Sequence, residues 1–247
     1  MKHRLRILTK MHDLFTVPEA YIPRHISNKT VLKVYDVLSR ILKIPPSVRK
    51  KNREINSRVL AERNIFRAGY FIENQNEWGE IRFGSGKHHN MKYSGCEIIA
   101  VYNAMLDLGR KSSLEDMAEL ITAFEERGAA LKGEWGVAPH AIKNYLENCG
   151  YDVSAISSMD ERSICELGIK SHTVIATVYN NKDNIMEGIH TVCITKKNGT
   201  YVVHNDYTRD RERTSEYRER GGYATLQEAV DSIGRAAKSI YVTGIAK

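Results

Sequence analysis

Paired cysteine spacing is missing from this chain of 247 residues. Its four cysteines, Cys96, Cys149, Cys165 and Cys193, never form a CxxC unit. That argues against structural zinc and against a secreted disulfide framework. No apolar run approaches the roughly 20 residues that a membrane-spanning helix needs. The opening stretch is basic but meets Lys10, His12 and Asp13 before any long apolar segment, which makes a poor secretory signal. Internal repeats, low-complexity tracts, zinc-finger spacing and RNA-binding signatures are absent too. These absences predict a chain of the reducing cytoplasm with free thiols. The length suffices to bury a core without staples, and 42% hydrophobic with 27% charged residues excludes a wholly disordered chain.

Positive charge is concentrated at one end. Residues 1–70 hold 16 Lys and Arg against 5 Asp and Glu, whereas the remainder holds 21 against 25. The sequence pI of about 9.1 therefore belongs to the N-terminal quarter. Such a block can contact an acidic partner, nucleic acid or an anionic surface, but no aromatics interleave with the Lys and Arg as base stacking would want. A solvated basic helix pair is the commoner explanation.

Val31, Leu32, Val34, Tyr35, Leu38, Ile41 and Leu42 recur at helical spacing until Pro45-Pro46 stops them. A second helix is expected from about Ser47 to Phe66, basic on one face, with Ile55, Val59, Leu60 and Phe66 on the other. Residues 1–72 thus read as a basic helical extension, 73–90 as a connection, and 73–247 as the main domain. From Cys96 an apolar run through Leu108 predicts a buried helix closed by Gly109. Ser113 caps the next helix, and Pro139 opens another that ends at Gly150. Strands are expected at Tyr151–Ile156 and His172–Tyr179, with a short helix, Met159–Leu167, between them. Ile189–Thr195 and Thr200–Asn205 flank Asn198-Gly199, a strong hairpin signal. A helix near Leu226–Ile233 and a strand at Ser239–Thr243 complete an α+β pattern.

One constellation carries chemistry. Cys96 stands at the front of a buried helix, where unpaired N–H groups and the positive end of the macrodipole favour a thiolate and can hold an oxyanion. His190 begins a hairpin strand and can serve as base and then acid. The returning strand ends in His204-Asn205-Asp206, so Asn205 or Asp206 can orient the imidazole. Neighbouring strand residues point to opposite faces, so only one of these two meets the ring unless the strand has ended. His172 is the rival base, without a following hairpin. Cys149, Cys165 and Cys193 read as packing residues. His88-His89 lack acidic or thiol companions at metal-ligand spacing, and no metal or organic cofactor is required. Trp135 and Tyr207 are candidate cleft aromatics.

Asn90-Met-Lys-Tyr-Ser-Gly-Cys96-Glu-Ile-Ile-Ala-Val-Tyr, with His190-Thr-Val-Cys-Ile-Thr and Tyr-Val-Val-His-Asn205-Asp206, resembles the papain-like cysteine peptidases. Within them it looks like the branch that cleaves bacteriocin leader sequences after a double glycine, and its free-standing relatives. The likeness spans roughly residues 85–210, and Gly136–Leu146 resembles that branch's helix between Cys and His. It implies a papain-like fold and a peptide or precursor-protein substrate. It also implies a nucleophile at Cys96, a base at His190 and an orienting group at Asp206. Two departures stand out. Where the family has Gln six residues before the Cys, donating to the oxyanion, this chain has Asn90. Where Gly commonly follows the Cys, it has Glu97, whose carboxylate opposes thiolate formation unless it points away. Acyl transfer on the same triad, as in transglutaminase-like relatives, and peptide binding without turnover are the alternatives.

Overall fold

Ser27 starts the first helix, its hydroxyl oxygen accepting from the Thr30 N–H at 3.2 Å. The computed structural model describes residues 27–63, 65–157, 160–180, 188–206, 222–233 and 239–246. The expectations for the basic opening stretch, Met159 and Tyr207 lie outside them. Helix α1 (Asn28–Ile41) buries Leu32, Tyr35 and Leu38, and Pro46 opens α2 (Pro46–Glu62). The buried face of α2 is partly polar, which is why its apolar period is weak. Asn52 donates to the Gly84 carbonyl and to Glu125 at 2.9 and 2.6 Å, and Asn56 both donates to and accepts from the Arg82 main chain. Some of its basic face finds acids inside the chain, with Arg53 3.1 Å from Glu119 and Arg49 3.7 Å from Glu126. Such exposed pairs are worth less than about 1 kcal/mol each.

The stretch expected to be a connection is core. A 3-10 turn, Gln75–Trp78, leads to Trp78, Ile81 and Phe83, all at most 1% exposed. Single apolar residues scattered among polar ones carry no period, so this burial leaves no mark on the sequence pattern. Ile44, Leu60, Phe66 and Ile72 lie in the same buried cluster, together with Ile98, Ile99 and Phe124, so α2 and the segments flanking it share the core of the main domain, while the buried residues of α1 pack in two smaller clusters.

A short helix, α3 (Met91–Ser94), runs through Gly95 into α4 (Cys96–Asp107), which buries ten consecutive residues from Cys96 to Met105. Asn103 keeps this helix in place by bonding both the N–H and the carbonyl of Ile72 at 2.9 Å. Next come α5 (Leu114–Glu126), with a capping box at Ser113 and Asp116, and α6 (Pro139–Asn148). The strands are β1 (Val153–Ile156), β2 (Thr173–Tyr179), β3 (Ile189–Lys197), β4 (Thr200–His204) and β5 (Ser239–Ile245). Helices α7 (Glu161–Lys170) and α8 (Leu226–Asp231) are interspersed. The strands form one antiparallel sheet in the order β1-β5-β2-β3-β4. The class is α+β.

Strand alternation divides the sheet's side chains between two layers. Ile175, Cys193 and Ile245 join the α4 cluster, while Val174, Ala176, Val192, Ile194 and Val242 join that of α7 and α8. Among the described residues no helix is long and apolar enough to cross a membrane.

Candidate active site

Cys96 opens α4 because Gly95 lets the chain fold back tightly. A Cβ at Gly95 would sit 2.6 Å from the Met91 carbonyl oxygen. The thiol is 5% exposed. Burial lifts it well above its usual range, and the Glu97 charge adds to that, while the main-chain groups of Thr191 and Glu97 pull the other way. The sulfur thus meets β3 at the residue next to His190.

Glu97 does not point away into solvent. It is 1% exposed, and Gly136, at φ +70, leaves room for it. A Cβ at Gly136 would lie 2.7 Å from both carboxylate oxygens. Burial pushes the Glu97 carboxyl up to about 7, against the opposing pull of the main-chain groups of Glu97 and Val137 and of the Cys96 thiol. Its Oε2 meets no hydrogen-bond partner among the described residues.

The N-terminal extension enters the site through Tyr35 of α1. This phenol is pushed well up, first by burial and then by the charges of Glu97 and Cys96. Its ring lies 5.7 Å from half-buried Trp135, so that candidate cleft aromatic packs against α1. Asp36 anchors the helix to His140 at 2.7 Å, and Asn28 donates to the Ser239 carbonyl at 3.0 Å.

His190 is half-buried, and its Nε2 lies 3.1 Å from the main-chain oxygen of Asn205. A carbonyl oxygen only accepts, so Nε2 carries the proton and the neutral ring's lone pair is on Nδ1. Burial also holds the imidazole below its ordinary 6.5. By strand alternation Thr191 shares the α4 face with Cys193, whereas His190 has the parity of Val192. Alternation thus directs Thr191 and His190 to opposite faces at the start of β3, beyond the point where β4 has ended at His204.

Asn205 adopts φ +63, a left-handed conformation that suits Asn and turns the chain out of β4. Its side chain goes to Gln75 rather than to the imidazole. Its Oδ1 accepts from the Gln75 N–H at 2.9 Å, and its Nδ2 donates to Gln75 Oε1 at 3.3 Å. Asp206 comes next, half-buried. Asn90, expected at the oxyanion, is occupied as the cap of α3. Its Oδ1 accepts from the Tyr93 N–H at 2.9 Å and its Nδ2 donates to the His88 carbonyl at 2.6 Å.

The other candidate histidines, His88, His89 and His172, have partners elsewhere. His88 pairs with Glu134 and stacks on Tyr93, His89 meets Arg82 at 2.6 Å, and His172 lies 3.5 Å from Asp107. Cys149, expected in the interior, is exposed at the end of α6, because the cap position turns outward. Sequence reasoning missed Gln75 and Tyr35. Gln75 sits in a polar run with no motif, and Tyr35 reads only as one member of an amphipathic face. No family model matches this chain, and neither a curated protein nor a solved structure does.

Proposed function

We propose that the chain is a papain-like cysteine peptidase that cuts peptide or precursor-protein substrates through an acyl-thioenzyme. The observation that carries this reading is the contact of a helix-start thiol, Cys96, with the main chain at Thr191. That residue adjoins a histidine whose outer nitrogen is held by the loop after β4. In the reaction the Nδ1 lone pair of His190 takes the thiol proton as sulfur adds to the substrate carbonyl. The first N–H groups of α4 support the oxyanion, the protonated ring then gives its proton to the leaving amine, and water cleaves the thioester. The Asn205 carbonyl keeps the ring in the Nε2–H tautomer throughout, and Asp206 supplies nearby negative charge.

At rest both partners are neutral, since burial raises the thiol and lowers the imidazole. With Cys96 5% exposed, a substrate reaches sulfur only when neighbouring side chains give way. The basic N-terminal segment is suited to an acidic partner or an acidic stretch of substrate. A second reading, peptide binding without turnover, is favoured by Glu97, which opposes the thiolate. Transfer of the acyl group to an amine would use the same residues.

The test is to incubate the protein with a set of peptide thioesters and search by mass spectrometry for an acyl group on Cys96. The adduct and its hydrolysis should vanish in Cys96→Ala. Hydrolysis that survives this change excludes the mechanism, and binding without any adduct favours the second reading.

A further inference from the structure

Gln75 is 2% exposed and yet commits every polar atom of its side chain to main-chain or amide groups from two distant stretches. Its Nε2 donates to the carbonyls of Met91 and Lys92, both at 3.0 Å, on the short helix that runs through Gly95 into Cys96. Its Oε1 accepts from Asn205 Nδ2, and its own N–H donates to Asn205 Oδ1. The main-chain oxygen of that same Asn205 holds the His190 ring. Asn205 is itself fully buried, and Glu73, two residues before Gln75, accepts its N–H at 3.1 Å.

We propose that Gln75 is a positioning residue, a bracket whose one amide fixes both the turn that presents Cys96 and the loop carbonyl that orients His190. The inference rests on the peptidase reading for its consequence in catalysis. The bracket itself is a statement about the imidazole that can be measured separately. A carboxamide suits the task because it donates twice and accepts at once. Neither a carboxylate nor an aliphatic side chain of similar size can do so. Leaving these buried carbonyls without a donor also exposes the usual asymmetry of hydrogen bonding, in which an unmade bond costs more than a made one contributes.

Two variants separate positioning from packing. Gln75→Met keeps the volume and removes the hydrogen bonds. Asn205→Gly keeps the left-handed backbone and removes the tie from the other side. In the native protein, nitrogen NMR of His190 should show the Nε2–H tautomer. In either folded variant the ring should become a mixture of tautomers, and its titration should move further down, because the bond to the Asn205 carbonyl raises it while burial, which lowers it, remains. An unchanged tautomer in a folded variant overturns the bracket. The catalytic consequence is read from the pH profile of Cys96 alkylation by iodoacetamide, with exposed Cys149 as internal control. Gln75→Met should flatten the inflection that His190→Ala abolishes, and leave Cys149 unaltered. If His190→Ala itself leaves the profile unchanged, the peptidase reading fails while the NMR result still decides the bracket.

Discussion

Two thiols and two imidazoles share the β3–β4 hairpin and its surroundings, and they are built for different purposes. Cys193 pairs in register with His204, and both face the α4 side of the sheet. Judged on residue types alone, this pair has the better triad, because His204 Nδ1 lies 2.7 Å from Glu73 and its Nε2 lies 3.0 Å from the Thr195 hydroxyl. Its ring also stacks on Phe71 with centroids 3.9 Å apart. What disqualifies it is the place of its thiol. Both nitrogens are satisfied, and the thiol is mid-strand, wholly buried and pushed well up by burial and by the charges of Asp107 and Glu73. Cys96 instead has a helix N-terminus behind it, and His190 has a partner that only accepts. A helix N-terminus gives a thiol an electropositive wall that a mid-strand cysteine lacks.

The largest expected effect breaks the comparison outright. Cys96→Ala should remove all acyl-enzyme, while Cys193→Ala should keep it and lose about 1–2 kcal/mol of stability in urea unfolding, as a small buried side chain is deleted. If the two behave alike, the two thiols are not functionally distinct. Next, His190→Ala should lower turnover by roughly 100-fold or more, the usual contribution of a positioned acid–base group. His204→Ala should act chiefly on the melting temperature.

The pH response should differ in sign between the two clusters. The Glu97 carboxyl, raised to about 7 by burial, contributes stability that is full below its unfolded value and lost as pH climbs through 7. For Glu73, burial pulls upward, but the bonds to His204 and the Asn205 N–H prevail and its carboxyl falls below the ordinary range. Its contribution is present above the unfolded value and lost as pH falls. Glu97→Gln should therefore flatten the decline in thermal stability between about pH 5 and 8, worth on the order of 2–3 kcal/mol. A variant as pH-sensitive as the native protein would remove Glu97 as the cause. Glu125, also raised to about 7 by burial, provides an independent slope of the same sign.

The smallest effect concerns the turn that both clusters share. Gly199 has φ +81 with open space around a Cβ, so Gly199→Ala costs only conformational strain, about 1 kcal/mol. It should shift the denaturation midpoint without altering Cys96 alkylation.

Much of the architecture was legible because it rests on local rules. Pro45-Pro46, Ser113, Pro139 and Asn198-Gly199 punctuate the chain by dihedral preference and capping, which act over a few residues. The burial of Trp78, Ile81 and Phe83 was not legible, nor was the polar face of α2, since each depends on what another segment presents. The site divides in the same way. The order of Cys96, His190 and Asn205-Asp206 is written in the sequence. The diversion of Asn90 to a cap and of the Asn205 amide to Gln75 is not.

The amino-acid sequence by itself determined where most helices and strands begin and end, and that a lone thiol would head a buried helix. Tertiary structure alone decided that Glu97 lies buried against Gly136, and that one glutamine links the thiol's turn to the imidazole's loop. The reason is physical. Dihedral preferences and capping bonds are made between neighbours in the chain, whereas burial and the choice among hydrogen-bond partners depend on segments 16 to 130 residues apart.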